Sequence, residues 1–275
     1  MAKKNRVPFV LRPFEGLPGE VDLIAMREIV PAATAPVKLT KEFGGAEVLL
    51  VTVLPLDRPA MRRKDGVLMA AMHRTSTSGD ASRDIAAAIL ASEDLEPGDL
   101  LPVQGALEPG PRLQDILDTS VPWKVTVHEG YDFWLPEGER DTEVQAALEE
   151  ANTGIFPTVK LESVEGAYWC RMGAREYLRW GQPVDEEVLL DALARLQAKR
   201  ESALEEGTKL LGAFRAGGLM IPVWEMVPGT EAEEIEKPAK AFAPVLAAAI
   251  ADTTPLNADE RRARAGLVSR QVTIR

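Results

Sequence analysis

A short extended pattern occurs twice in this chain of 275 residues. The stretch APVKLTKEFGGAEVLLV begins at residue 35, and PTVKLESVEGAYWCRM begins at residue 157. Each contains Val-Lys-Leu, a polar step, a Gly-Ala corner and a second extended run, and each follows a predicted helix. The pattern predicts strand pairs beside helices in both halves of the chain. Whether the two halves arose by duplication stays open, because similar β corners can match by chance.

Turn and breaker residues divide the chain into domains. An extended arm, residues 1–20, precedes a first domain, residues 21–98, with a helix, three strands and an alanine-rich helix. A Pro- and Gly-punctuated stretch, residues 99–122, is the predicted linker, although LLPVQ within it could pair as an edge strand. A second domain follows over residues 123–251, and residues 252–275 form a basic helix and tail.

The second domain opens with a predicted hairpin in WKVTVHEGYDFWL and contains the clearest helix of the chain. In DEEVLLDALARLQAKRESALEEG, Leu189, Leu193 and Leu196 share one face, acidic residues lead and Gly207 terminates the pattern. All five Trp and all three Tyr lie after residue 120, which supports the division. The predicted fold class is therefore α+β, with two tandem sheet-plus-helix domains of mostly antiparallel strands.

Charge and cysteine content narrow the classes of partner and compartment. The formal net charge is −11, so neither nucleic acid nor a membrane surface is the expected partner. Cys170 is the single cysteine, which rules out an intrachain disulfide and a cysteine-based zinc site. The sequence shows no secretory leader and no apolar run of about 20 residues. A cytoplasmic location is the expectation.

Catalysis needs a convergent set of groups, and the sequence shows none. His73 and His128 each lie in a predicted strand without a nearby cysteine or acidic pattern. A metal site that uses both stays an alternative, but solvent-facing or core histidines are commoner in strands. Cys170 lies on the expected core side of its strand, where a thiol is inert. We therefore predict no catalytic residue, no metal site and no cofactor.

In the stretch TSTSGDASRD, small hydroxyl side chains and a glycine come directly before a predicted helix. The amino end of a helix can bind an anion. Ser78, Asp80 and Arg83 are its candidate binding residues. A phosphate loop needs more glycines and a lysine, however, and a nucleophile elbow needs Gly-x-Ser-x-Gly. The favoured interpretation is a helix cap in which Asp80 and Arg83 form local hydrogen bonds.

The best binding candidate is an Arg-aromatic stripe in YWCRMGAREYLRWG. Strand alternation places five side chains on one face of the sheet: Trp169, Arg171, Arg175, Tyr177 and Arg179. Arginine with tryptophan and tyrosine is typical of interface hot spots. The alternative is an ordinary solvated sheet face with cation–π contacts, and a turn at Gly173 would disrupt the alternation.

The C-terminal stretch ERRARAGLVSRQVTIR is locally basic and follows a capping box of Asn257 and Glu260. It either contacts an acidic partner or packs on the acidic body of its own chain. Self-packing or a loose tail is the expected outcome.

Two stretches carry a resemblance to known proteins: PFVLRPFEGLPGEVDLIAMREIVPAATA, from residue 8, and SGDASRDIAAAIL, from residue 78. Through them the chain resembles, over nearly its whole length, an uncharacterised family of actinobacterial proteins, a domain of unknown function. The resemblance implies no activity and no catalytic residues. The element order also resembles the type III secretion chaperone-like fold and bacterial sensory regulators, which are small acidic α+β proteins that bind other proteins.

Two hypotheses about function follow. The first is a non-enzymatic, chaperone- or adaptor-like module that binds another protein through a sheet face and apolar grooves, with a homodimer also compatible. The alternative is an enzyme or small-ligand sensor with a site between the two domains, where carboxylates and arginines converge in a deep pocket. The lack of a catalytic set in the sequence favours the first.

Overall fold

A computed structural model describes residues 6–73, 78–103, 105, 107–138 and 142–270. The chain forms two compact units, Met1–Ile155 and Phe156–Arg275. Each unit contains a five-stranded, mostly antiparallel sheet and helices, so the predicted α+β class with two sheet-and-helix parts is confirmed. Within the described ranges, no helix is both long enough and apolar enough to cross a membrane.

The first unit builds one mixed sheet from short strands. The elements of the unit are α1 (Glu20–Glu28), β1 (Ala33–Lys38), β2 (Glu47–Val51), β3 (Ala60–Arg62), β4 (Leu68–Ala71), α2 (Ala81–Ala91), α3 (Leu113–Ile116), β5 (Thr126–Val127) and α4 (Thr142–Asn152). The strands lie in the order β3-β4-β2-β1-β5, and only the β2–β4 pair is parallel.

Both faces of this sheet are packed. On one face Val51 and Met69 belong to an apolar cluster against which Phe133 packs. On the opposite face Ala60 packs with Ala88 of α2. The apolar, β-branched run that forms β2 is typical of a strand that is buried on both sides.

Residues 99–155 belong to the first unit, whereas the sequence interpretation made a linker of their first part and began the second domain at residue 123. Leu100 bridges Met61, and Leu117 bridges Leu39. Further along, β5 pairs with β1. These backbone contacts hold residues 99–127 against the first sheet. Of the edge pairing considered for LLPVQ, the structure shows a single bridge, between Leu100 and Met61.

The predicted hairpin in WKVTVHEGYDFWL is wrong. The first half supplies β5, but the return half forms a 3₁₀ turn over Asp132–Trp134. The Trp134 Nε1–H donates to Val53 O at 2.9 Å, and its ring stacks on Tyr131 with the centroids 4.4 Å apart. These contacts pack residues 131–134 against one face of the sheet, so this segment does not pair as a further strand.

The second unit combines an antiparallel sheet with three helices. Its elements are β6 (Thr158–Lys160), β7 (Ala167–Met172), β8 (Arg175–Trp180), α5 (Glu186–Lys199), β9 (Lys209–Ala216), β10 (Leu219–Glu225), α6 (Ala232–Ala251) and α7 (Ala258–Arg270). The strands lie in the order β6-β7-β8-β10-β9.

Helices α5 and α6 cover one face of this sheet. The leucine stripe predicted for α5 is confirmed, because Leu189, Leu193 and Leu196 are each at most 3% exposed. They share a core with Trp224 and Phe242, whose rings meet edge to face with centroids 5.8 Å apart.

The basic C-terminal helix packs on its own unit, as expected. Arg264 of α7 donates from Nε to Asp191 Oδ1 of α5 at 2.7 Å and also pairs with Glu187. Leu267 of α7 is buried in the same core. Residues 271–275 lie outside the described residues.

The repeated pattern forms the same corner in both units. The Leu39 N–H donates to Ala46 O, and the Leu161 N–H donates to Ala167 O, each at 2.9 Å. The glycine before each alanine has a left-handed φ, of 64° and 68° respectively. The next strand differs, however: β2 has a parallel neighbour in β4, whereas β7 has an antiparallel neighbour in β8. The likeness is therefore confined to the corner.

Candidate functional site

The predicted Arg-aromatic stripe is divided by a turn. Gly173, with a φ of 63°, separates β7 from β8, and the two strands pair antiparallel, for example through Cys170 and Tyr177. Residues directly opposite each other share a face. The prediction of one common face is therefore wrong, because the chain reverses at Gly173. Trp169 and Arg171 lie on one face, and Arg175, Tyr177 and Arg179 lie on the other.

Trp169 and Arg171 form part of an internal clamp on the helix-covered face. The buried Trp169 indole donates to Thr230 O at 3.0 Å, and the Arg171 guanidinium lies 5.2 Å from the Trp169 ring centroid. Arg171 donates to Glu176 Oε1 at 2.8 Å and to Glu231 Oε1 at 2.6 Å. The clamp joins β7 and β8 to the start of α6, so these side chains are occupied inside the unit.

Glu176 is the buried acid of this clamp, with 4% of its surface exposed. Hydrogen bonds from Arg171 and from the Gly229 N–H, the latter at 3.1 Å, lower the pKa of Glu176 below its ordinary value of 4.5. The hydrogen bonds to Glu231 and Glu176 in turn raise the pKa of Arg171. The clamp is therefore ionised at neutral pH.

We expect acid to destabilise the second unit partly through Glu176. Because its pKa is lowered by folding, its contribution to stability is complete above the ordinary value of 4.5 and is lost as the pH falls through the folded-state value. Glu176→Gln should therefore show a shallower loss of the free energy of unfolding as the pH falls. Urea unfolding followed by circular dichroism at a series of pH values measures this slope.

The exposed Glu206→Gln is the matched control and should keep the pH slope of the unchanged protein. An identical slope for Glu176→Gln and the unchanged protein would show that the clamp contributes nothing to acid sensitivity.

The other three stripe residues lie on the opposite face, where the arginines also contact their own unit. Arg175 pairs with Glu225 at 2.5 Å, and the Arg179 guanidinium lies 5.6 Å from the centroid of the Phe156 ring. Cys170 is buried on this face, and burial raises the pKa of its thiol. The predicted burial of Cys170 is confirmed, and a neutral, buried thiol is a poor nucleophile.

The start of α2 contains its own anion. Asp80 is the N-cap residue, and its Oδ1 accepts from the Ser82 N–H at 3.1 Å and the Arg83 N–H at 3.4 Å. Arg112 donates from Nε to Asp80 Oδ2 at 2.7 Å. Asp80 is only 2% exposed. The amino end of α2 is therefore already occupied by the carboxylate of Asp80, and Arg112 balances the charge of that carboxylate.

Ser78 and Arg83 serve the same local structure. The Ser78 hydroxyl donates to Asp80 O at 3.3 Å, and Arg83 Nε donates to Glu108 O at 3.1 Å. Neither side chain is directed to an open anion site by these bonds. Residues 75–77, which supply the first part of TSTSGDASRD, lie outside the described residues.

The α2 start is also bonded to the N-terminal arm. Arg112 Nη2 and Gln114 Nε2 both donate to Pro13 O, at 2.9 and 2.8 Å. The Ser82 hydroxyl donates to Gln114 Oε1 at 2.6 Å. The two stretches that carry the family resemblance are thus held together by side chains from residues 112–114, which the sequence interpretation placed in the linker.

The two histidines make separate local hydrogen bonds. His73 Nδ1 lies 2.7 Å from Arg27 O, and His128 Nε2 lies 2.9 Å from Thr34 Oγ1. Burial lowers the pKa of His128, against a smaller opposing effect of Asp132. In the part of the chain that the structure describes, no group of three or more His, Cys, Asp or Glu side chains could hold a metal ion.

A groove of about 680 Å³ opens in the first unit. It lies between the corner that follows β1, the turn between β3 and β4, and the carboxyl end of α2. The groove opens where β4 pairs with β2 only from Leu49 onward, and no described strand lies beside Glu47 and Val48 on that side. Its apolar lining includes Phe43, Ala46, Leu49, Val67, Ile89 and Leu90.

The charged groups of the groove divide into bonded cations and exposed acids. Arg62 donates from Nη2 to Glu93 O at 2.9 Å, and Arg63 donates from Nη2 to Asp65 Oδ2 at 2.8 Å, which lowers the pKa of Asp65. The carboxylates of Glu47 and Glu93 stand exposed at the rim, and neither forms an ion pair with any described residue. The groove therefore combines an apolar floor with a net acidic rim.

Comparison with known proteins identifies a family for the chain but no activity. No curated protein and no solved structure matches it. A family model described as "Family of unknown function (DUF5926)" matches residues 13–275, which include both sheets, the groove and the capped start of α2. The chain therefore belongs to this family of unknown function, DUF5926.

Proposed function

We propose that this protein is a cytoplasmic, non-enzymatic binding module that takes up a short apolar and basic segment of another protein in the groove of the first unit. The observation that carries the proposal is the combination of an apolar floor with the exposed carboxylates of Glu47 and Glu93. Apolar side chains of a partner gain burial there, and its lysine or arginine side chains meet opposite charge at the rim.

The polar groups of the groove favour a peptide over a small anionic ligand. Small-molecule sites fix their ligand with a few directed polar groups. Here the guanidinium groups of Arg62 and Arg63 already donate to the protein itself. The acidic rim repels anions, and the net charge of −11 attracts basic partners over longer distances.

The backbone at the groove also suits an extended segment. Glu47 and Val48 lie beyond the paired part of β2 on the side of β4. An extended partner segment can form main-chain hydrogen bonds with such a strand while its alternate side chains enter the apolar floor. This mode of binding requires no catalytic group.

Two matched peptides test the proposal. The first carries phenylalanine and leucine between flanking lysines, and the second has glutamates in place of the lysines. We expect the lysine peptide to bind and the glutamate peptide not to bind, as measured by fluorescence anisotropy of the labelled peptides. Glu47→Lys combined with Glu93→Lys should weaken binding about thirtyfold, because two attractions become repulsions.

The control is Glu201→Lys combined with Glu206→Lys, two exposed acids of the second unit. This variant has the same change in net charge and should bind the lysine peptide with less than about threefold loss of affinity. Equal binding of the two peptides, or an equal loss in the two double variants, would contradict a specific role of the groove.

A further inference from the structure

Two large apolar side chains project from the N-terminal arm of the first unit. Phe9 and Leu11 are 77% and 68% exposed. Between them, the Val10 N–H donates to Gly79 O at 3.0 Å. Phe9 and Leu11 thus expose most of their side chains, while the residue between them is bonded to the body of the unit.

The arm is held in place on both sides of this pair. Arg12 donates to both carboxylate oxygens of the buried Glu20, at 2.5 and 2.7 Å. Val7 and Phe14 are buried. A segment that is already fixed loses little further conformational entropy when it binds, so the arm is preorganised for a partner.

The arm has the chemistry that the groove accepts. Arg6 is exposed and forms no ion pair with any described residue. In the sequence it follows Lys3 and Lys4. The arm thus joins two exposed apolar side chains to positive charge, and the rim of the groove supplies the complementary carboxylates of Glu47 and Glu93.

The arm and the groove lie at opposite ends of α2. The arm is bonded to Gly79, next to the amino end of the helix, whereas Leu90 lines the groove at the carboxyl end. A helix of 11 residues spans about 16 Å. Because Val10 is fixed at the amino end, the described part of the arm, residues 6–20, does not line the groove of its own chain.

We propose that the groove receives the arm of a second copy of this chain, so that Phe9 and Leu11 of one copy enter the groove of the other. Reciprocal exchange of the two arms closes the assembly as a dimer with twofold symmetry. The inference rests on the proposed function of the groove and names its partner.

Light scattering on the full chain tests the exchange. We expect a mass twice the 29.9 kDa of one chain. Phe9→Ser combined with Leu11→Ser should give the single-chain mass, and it should fold normally because both side chains are exposed. Glu47→Lys combined with Glu93→Lys should raise the dissociation constant of the dimer at least about a hundredfold, because both contacts are weakened.

A mixture of two variants tests the exchange further. The arm variant carries Phe9→Ser and Leu11→Ser, and the groove variant carries Glu47→Lys and Glu93→Lys. Each variant alone should be monomeric, but the arm of the groove variant fits the intact groove of the arm variant. The mixture should therefore form a mixed dimer, weaker than the dimer of the unchanged chain, which labelling one variant reveals by fluorescence anisotropy. Glu201→Lys combined with Glu206→Lys should remain dimeric.

The outcomes separate this inference from the proposed function. A monomeric chain that binds the lysine peptide overturns the exchange and leaves the proposed function intact. A monomer that binds the peptide only after the arm is substituted also overturns the exchange, since the arm would then occupy its own groove. A dimer that persists in the arm and groove variants shows association through another surface and overturns it as well. A monomer that binds no peptide contradicts both proposals.

Discussion

Asp80→Ala is expected to lower the free energy of unfolding of the first unit by about 3 kcal/mol. Alanine removes the acceptor for the Ser82 and Arg83 N–H groups at the start of α2. It also removes the carboxylate that faces Arg112 at a site where Asp80 is 2% exposed. Loss of a cap and loss of a buried charge partner add, because they affect different donors. Urea unfolding followed by circular dichroism measures the change.

Two control variants locate the cause of this loss. Asp80→Asn keeps an acceptor at the cap and loses only the charge, so a loss of about 1.5 kcal/mol is expected. Asp94→Ala, at an exposed position just after α2, should change the free energy of unfolding by less than about 0.5 kcal/mol. If Asp80→Ala is no more harmful than Asp94→Ala, the network around the α2 start does not stabilise the unit.

Trp224→Ala is expected to lower the free energy of unfolding of the second unit by about 4 kcal/mol. Trp224 is fully buried, and its ring lies against Phe242 and Trp180, with centroids 5.8 and 6.2 Å away. Its indole N–H donates to Ser202 O at 2.7 Å. Alanine leaves a cavity between the sheet and α6 and also an unpaired carbonyl. Thermal unfolding and urea unfolding both report the loss.

Trp224→Phe separates the two contributions, because it fills most of the cavity but cannot bond Ser202 O. We expect it to cost about 2 kcal/mol. Val159→Ala, at a side chain that is 40% exposed on β6, is the matched surface control and should cost less than about 0.5 kcal/mol. A loss below about 1 kcal/mol for Trp224→Ala would contradict the aromatic core of the second unit.

Sequence reasoning succeeded where the signal lies within one segment. The leucine spacing of α5 predicts its buried face, and the residues before α2 predict a cap that the structure assigns to Asp80. The Gly-Ala corners predict two strand pairs, and both units form them. Helix periodicity, capping and turn chemistry are local properties, so a single sequence contains them.

One error is local, and the others come from contacts between distant segments. Gly173 signals a turn, but treating its neighbours as one strand placed five side chains of the proposed stripe on a single face. The second domain was begun at residue 123 because nothing local shows that β5 pairs with β1. Arg112 could not be connected with Asp80, because the ion pair joins residues 32 positions apart.

The groove lay beyond the reach of the sequence for the same reason. It depends on where the pairing of β2 with β4 begins, and on the end of α2 that meets the same edge of the sheet. Glu47 and Glu93 are ordinary surface acids until the fold brings them to one rim. The exposure of Phe9 and Leu11 could not be predicted from the sequence either, because apolar residues are ordinarily expected to pack in a core.

The central claim, that the groove binds an apolar and basic segment, is tested most directly by nuclear magnetic resonance. The isotope-labelled Phe9→Ser and Leu11→Ser chain is titrated with the lysine-flanked peptide, because these substitutions keep the arm of a second copy from competing for the groove. The amide resonances of Phe43, Glu47, Val67 and Leu90 should shift with increasing peptide, and those of the second unit should stay in place. Shifts elsewhere in the chain with these four unchanged, or no shifts at all, would contradict the claim.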